Sequence, residues 1–168
     1  MPMSPALPRR RRARAKPVDA GRLEAARGKA GPESIGYLVR YAYRAFVKAL
    51  AVELDPHDIT TSQWSVLRVL WHEEGMSQVE LAQRMMVEKA SLTPVLESMT
   101  GNRLIVRSRN SDDRRKVNIF LTARGRQLKD IVFPSGGKIN KKATRGMSAA
   151  DVDRLRDLLS KLITNLHD

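Results

Sequence analysis

Cysteine is absent from this chain, which excludes disulfides, thiolate metal centres and cysteine-based redox sensing. Histidine is scarce: His57, His72 and His167 are scattered, and no HExxH spacing joins them. Walker-type loops, GxSxG elbows and Gly-rich dinucleotide turns are missing. No apolar run approaches the about 20 residues that span a bilayer, and no apolar stretch follows the basic N-terminus as in a secretory signal. These absences argue against an enzyme, a metal or cofactor protein and a membrane protein, and they point to a cytoplasmic location.

Acidic residues are also few for the number of basic ones. The 168 residues hold 31 Lys and Arg against 18 Asp and Glu, a net charge of +13. A balance of this sign selects polyanionic partners, most often nucleic acid. Residues 1–32 hold nine basic and two acidic residues, a net +7, so the remaining 22 basic and 16 acidic residues give +6. This first stretch is rich in Pro, Gly, Ala and Arg without apolar periodicity, as expected of a disordered basic arm.

The folded part is expected over residues 33–168. Over 33–54, Ile35, Val39, Ala42, Phe46 and Ala49 form one helical stripe, and Leu38, Tyr41, Ala45 and Val52 form part of another. A helix apolar on two sides is buried on two sides, which in so small a chain points to a second subunit. Asp55-Pro56 ends it. Thr60 and Gln63 fit a capping box for a helix carrying Trp64, Leu67, Leu70 and Trp71 and ending near Gly75. Ser77 and Glu80 fit a second box, opening a short helix with Val79, Leu81, Ala82 and Met85. A third helix is expected over about Glu88–Thr100, with Leu92, Val95, Leu96 and Met99 inward and Gly101 as its stop. Proline lacks an amide donor, so its regular part is expected to start at Ser91, with Pro94 in the first turn.

The periodicity then changes to two. Leu104–Arg107 and Lys116–Leu121 fit a hairpin around the polar turn 110–115, with Val117, Ile119 and Leu121 on one face. Thr122 caps a helix over 123–144 that Pro134 and Gly136-Gly137 should kink and Gly146 should stop. Ser148 and Asp151 open a last helix on which Val152, Leu155, Leu158, Leu159, Leu162, Ile163 and Leu166 make an apolar face. That face fits burial between subunits or an ordinary core helix.

The fold class is therefore mainly α with a small antiparallel β-hairpin. A short helix, a tight turn and a second helix place the second in a major groove. Facing away from its apolar side are Lys89, Ala90, Thr93, Pro94, Glu97 and Ser98. Cationic contacts must come chiefly from the hairpin, where residues 102–126 carry eight Lys and Arg against two Asp. An arginine on a narrow loop suits the focused negative potential of a minor groove. Taken alone, Asp112-Asp113-Arg114-Arg115 fits a solvated turn with local ion pairs equally well. The DNA-facing set is Ser77, Gln78, Lys89, Ala90, Ser91, Thr93, Pro94, Ser98, Arg109, Arg114, Arg115 and Lys116.

Four pieces in register resemble the MarR family of bacterial regulators. Ile59-Thr60 to Gln63-Trp64 and Val66-Leu67 is similar to its L-T-x-x-Q-(F/W)-x-V-L, and Ser77–Ala82 to its T-Q-x-E-L-A. Asp112–Lys116 is similar to its D-x-R wing, and Leu121–Gly125 to its L-T-x-x-G. The resemblance implies a winged helix-turn-helix over 60–122 flanked by dimerisation helices over 33–54 and 123–168. It implies a homodimer on a pseudo-palindromic operator of double-stranded DNA, acting as a ligand-responsive repressor. It also implies that Asp113 orients the wing and that Arg115 enters the minor groove. Ser91–Leu96 is similar to the T-L-T-P-L-L of a peroxide-sensing branch, whose chemistry needs the cysteine missing here. An effector pocket is implied between the dimer helices and the reading head, lined by Tyr41, Tyr43, Trp64, Arg68 and Trp71. A small aromatic acid or an acyl-CoA-type molecule would suit it. The alternatives are an architectural protein that binds DNA without sequence preference and a winged helix used as a protein-interaction scaffold.

Removing residues 1–30 is expected to weaken binding to all DNA sequences alike. It should also flatten the dependence of log K on log salt, by about 0.9 for each phosphate that the arm neutralises. A salt titration on two unrelated duplexes checks this; an altered sequence preference at an unchanged slope would make the arm a reader of bases.

Overall fold

A computed structural model describes residues 34–109 and 117–167. Two compact units are distinguished, Met1–Arg40 and Tyr41–Asp168. In the first, residues 35–40 are helical. They open helix α1 (Ile35–Leu54), followed by a 3-10 turn at Asp55–His57. The second unit continues with α2 (Thr61–Leu70), β1 (Met76–Ser77), α3 (Gln78–Met85), α4 (Lys89–Gly101), β2 (Ile105–Arg109) and β3 (Val117–Leu121). It ends with α5 (Ala123–Val132), α6 (Pro134–Ala143) and α7 (Ala149–Asn165). The architecture is mainly α with a small antiparallel sheet, as expected.

Both expected boxes form, and the expected start at Ser148 and Asp151 is a third. Thr60 Oγ1 accepts the Gln63 amide at 3.1 Å, and the Gln63 side chain accepts the Thr60 amide at 3.0 Å. The same reciprocity opens α3 at Ser77 and Glu80, and α7 at Ser148 and Asp151. Each satisfies amides that a helix start would leave unpaired.

The core is built from α2, α3, α4, the sheet and α5. Leu67, Leu70, Leu81, Leu96, Met99, Leu104, Ile105, Ile119 and Val132 are all but fully buried. The strand order is β1-β3-β2, with Ile105 opposite Leu121, Arg107 opposite Ile119 and Met76 opposite Ile119.

Several local expectations are corrected. α2 stops at Leu70, well short of Gly75, because the His72 and Glu73 amides both turn back to the Val69 carbonyl and the Gly75 amide is taken by Ile119 of β3 at 2.9 Å. The left-handed conformation after α4 falls on Arg103, not on Gly101, which remains helical. α4 starts at Lys89, so Pro94 lies inside the helix rather than in its first turn. The first hairpin strand begins at Ile105 rather than Leu104 and runs on to Arg109. Val79 and Val117 are exposed, so Leu81 and Ala82 on α3 and Ile119 and Leu121 on β3 supply the buried side chains there. The kink in 123–144 occurs at Phe133-Pro134 alone, and Gly136 and Gly137 are helical within α6. A Cβ on Gly136 would press against the Trp64 ring at 3.0 Å, so that glycine permits close packing. The kink also frees the Val132 carbonyl, since the Gly136 amide bonds Phe133 instead, and the buried Trp64 indole N–H takes it at 3.0 Å.

α1 buries only Leu54, at its end, and α7 buries no residue. Leu38, Val52, Leu158 and Ile163 are about half exposed or more. No helix among the described residues is long and apolar enough to cross a membrane.

Gly125, buried in the first turn of α5, has no room for a side chain, because a Cβ would collide with the Leu104 carbonyl oxygen. Gly125→Ala is expected to destabilise the protein by about 1–3 kcal/mol and to lower Tm by several degrees. Thermal melting by circular dichroism measures this, and an unchanged Tm would contradict the packing described.

Candidate nucleic-acid interface

α3 ends on Met86, which adopts a left-handed conformation (φ 53°) with its amide on the carbonyls of Ala82 and Gln83. That residue reverses the chain within three positions and sends α4 across α3. α4 buries Leu92, Leu96 and Met99, and half-buries Val95. Its other side leaves Lys89, Ala90, Ser91, Thr93, Pro94, Glu97 and Ser98 exposed.

Two glutamines hold that side in place. The buried Gln63 donates from Nε2 to Ser98 Oγ at 3.1 Å, tying α2 to α4. Gln78 donates from Nε2 to the Lys89 carbonyl at 3.1 Å and to Thr93 Oγ1 at 2.9 Å, tying the start of α3 to the start of α4. The expected DNA-facing residues thus divide. Ser77, Gln78 and Ser98 engage their polar groups in building the motif, and Ser91 Oγ donates to the Glu88 carbonyl at 2.7 Å. Lys89, Ala90, Thr93 and Pro94 form the outward face.

The hairpin stands beside this helix pair. Arg107 and Arg109 are exposed on β2, and Arg109 pairs with Val117 at the last described step of the ladder. Asp113, Arg114, Arg115 and Lys116 lie outside the described residues, so the structure does not place the expected tip contacts. β1 was not expected from the sequence; it docks the start of α3 onto the hairpin through β3.

Glu74 was not singled out either, and it joins three elements. Its carboxylate accepts the Leu121 amide at 2.9 Å and a two-point bond from Arg126, at 2.9 Å from Nε and 2.7 Å from Nη2. Partial burial alone pushes the Glu74 carboxyl up, but the bonds from Arg126 and Leu121 outweigh it and hold the carboxyl below its ordinary value. Arg126, one of the eight hairpin-region cations, is thereby part of the scaffold.

The expected effector residues also divide. Tyr43, Trp64 and Arg68 line a cavity of about 280 Å³ together with Phe46, Leu50 and Ile139. The Arg68 guanidinium carbon lies 5.5 Å from the Trp64 ring centroid. Tyr41 and Trp71 do not line it. Tyr41 is two positions from Tyr43, so it points to another side of α1. Trp71 is committed to Gly125 and packs edge-on against Phe133 with centroids 6.0 Å apart.

A helix, a tight turn and a helix with a bare polar face, followed by a paired hairpin, define a winged helix-turn-helix, a class of DNA-binding protein. Comparisons agree. A model of the MarR family matches residues 59–117. The chain is 35% identical over 141 residues to the HTH-type transcriptional regulator TtmR of Methylorubrum extorquens, covering 80% of this chain and 69% of that relative. It is 30% identical over 131 residues to the organic hydroperoxide resistance transcriptional regulator of Bacillus subtilis, covering 78% and 88%. Among solved structures, BpsR of Bordetella bronchiseptica superposes with a TM-score of 0.73 at 27% identity, covering 79% of this chain and 94% of that one. Apo MarR of E. coli gives 0.67 at 26%, covering 77% and 96%. The chain belongs to the MarR family and is a DNA-binding transcriptional regulator.

The depressed Glu74 carboxyl makes a prediction with a definite sign. Its stabilising effect is fully present above the ordinary carboxylate value of about 4.3 and is lost as pH falls through the lower folded value. Arg126 is more than half exposed, so solvent screening keeps the effect of Glu74→Gln at pH 7 to about 1 kcal/mol. Urea unfolding should show that deficit at pH 7 and a smaller one below about pH 4. An equal deficit at both would mean that the charge contributes nothing.

Proposed function

We propose that this protein is a ligand-responsive repressor that binds a pseudo-palindromic operator as a homodimer. One observation carries the DNA-reading part: α4 buries Leu92, Leu96 and Met99 and leaves the side chains of Lys89, Ala90, Thr93 and Pro94 exposed. Small side chains there let a helix approach base edges in a major groove about 12 Å wide. The wing carries Arg109, Arg114, Arg115 and Lys116 to the flanking minor groove, with Asp113 aiming Arg115. The apolar faces of α1 and α7 pair two copies, which sets two reading helices on one side of the duplex. The protein works in the cytoplasm and performs no catalysis.

The repressor reading draws on relatives. The chain is 28% identical over 131 residues to the HTH-type transcriptional repressor NicR of Pseudomonas putida, and DNA binding by BpsR is regulated by 6-hydroxynicotinic acid. The cavity at Tyr43, Trp64 and Arg68 suits a ligand of that kind: aromatic walls stack a ring and the guanidinium meets a carboxylate. A single-ring acid would be held this way, and the ring and acyl end of an acyl-CoA-type molecule can use the same walls. Selection of bound fragments from a random duplex pool, followed by release with small aromatic acids, tests this reading. A specificity ratio above about 10² is expected; equal affinity for all duplexes would make the protein an architectural binder instead.

The wing gives a sharper expectation. Arg115→Ala should weaken operator binding by about 1–3 kcal/mol. Asp113→Ala should act through Arg115, so the double-mutant cycle should show a coupling above about 0.5 kcal/mol, with Arg107→Ala as a milder control. Operator affinities at one fixed salt decide it, and near-native binding by Arg115→Ala would remove the wing from the mechanism.

A further inference from the structure

We infer that Gln78 sets the Thr93 hydroxyl as a hydrogen-bond donor toward DNA. Thr93 then selects, at one base pair of each half-site, an edge that accepts a hydrogen bond. The inference rests on α4 being the reading helix.

A threonine hydroxyl has one proton and two lone pairs, and normally rotates to suit whatever base it meets. Here its rotation is restricted. Gln78 Nε2 donates to Thr93 Oγ1 at 2.9 Å and to the Lys89 carbonyl at 3.1 Å. A carbonyl can only accept, so the second bond identifies the group facing α4 as the amide nitrogen and not the amide oxygen. The Thr93 oxygen therefore accepts from Gln78, and its proton must point elsewhere.

Two carbonyls could take that proton, those of Lys89 and of Ala90, whose helical amide partner Pro94 cannot supply, yet the Thr93 hydroxyl bonds neither and among the described residues engages only Gln78. Hydroxyls within helices commonly donate to the carbonyl four residues back, as Ser65, Thr100, Thr144 and Thr164 all do here. For Thr93 that carbonyl belongs to Lys89. It already receives the helical amide of Thr93 and the side chain of Gln78, which occupy its two lone pairs. Thr93 is exposed on the flank of α4 beside Gln78, so a proton that bonds no carbonyl of the helix points outward, toward the groove that the helix enters.

In the major groove guanine offers N7 and O6 as acceptors and thymine offers O4, whereas cytosine offers only the N4 amine donor. Adenine offers N7 as well, so a hydroxyl held as a donor is satisfied by guanine, adenine or thymine and left unpaired against cytosine. Gln78, a residue that need touch no base, thereby becomes a specificity-determining residue through the polarity it imposes on Thr93.

The test is selection from a random duplex pool, followed by sequencing, with the full-length protein and three variants. The wild type should disfavour cytosine by about fivefold or more at one position of each half-site. Thr93→Val should flatten that position and leave the others unchanged. Gln78→Met should flatten it too, because the Lys89 carbonyl is released to take the hydroxyl proton. Gln78→Glu places an acceptor beside the hydroxyl, turns the proton inward and should move the preference toward the amine of cytosine or adenine. An operator analogue lacking the accepting atom at that base pair should bind the wild type about fivefold more weakly, and Thr93→Val should be indifferent to it. An unchanged profile for Thr93→Val, or wild-type preference retained in both Gln78 variants, would overturn the inference while leaving the regulator reading intact. Enrichment of no sequence by the wild type would overturn both.

Discussion

A helix that reads DNA must be fixed from behind by contacts that leave its front bare, and this constraint organises the protein. α4 meets it with three buried side chains, Leu92, Leu96 and Met99. Apolar contacts resist displacement but are indifferent to small rotations. The two glutamines supply direction: Gln63 holds the last turn of the helix at Ser98, and Gln78 holds its first turns at Lys89 and Thr93. Around this anchor the rest follows. The capping boxes start α2 and α3 at defined residues, β1 locks α3 to the hairpin, and Glu74 ties that hairpin to α5.

The same contacts bring the cavity and the reading helix onto one element. α2 contributes Trp64 and Arg68 to the cavity, while Gln63, one position before Trp64, holds Ser98 on α4. Trp64 also bonds the Val132 carbonyl at the α5–α6 kink, and Gly136 lies against its ring.

Features written in local chemistry were legible in the sequence. The pairs Thr60/Gln63, Ser77/Glu80 and Ser148/Asp151 are each three residues apart and need no tertiary contact to form, so the starts of α2, α3 and α7 are readable directly. Features decided across the fold were not. β1 is two residues long and exists because β3 lies beside it, so no periodicity announces it. The end of α2 depends on the Gly75 amide finding the Ile119 carbonyl of β3, far along the chain. Pro94 suggested a first turn because its missing amide is harmless there, but the burial of Leu92, Leu96 and Met99 extends the helix ahead of it. Glu74 resembles a solvent-edge acid until Arg126, 52 residues away, is brought to it. For the cavity, residue type identified Tyr43, Trp64 and Arg68, while helical phase excludes Tyr41 and a competing hydrogen bond excludes Trp71.

Chemical protection of a selected operator by methylation tests the central claim most directly, because the reagent marks guanine N7 in the major groove and adenine N3 in the minor groove. A pair of reading helices with flanking wings should protect guanine N7 in two patches about one helical turn, 10–10.5 base pairs, apart, with adenine N3 protected just outside each. A footprint confined to the minor groove, or a single patch without its symmetric mate, would contradict the account.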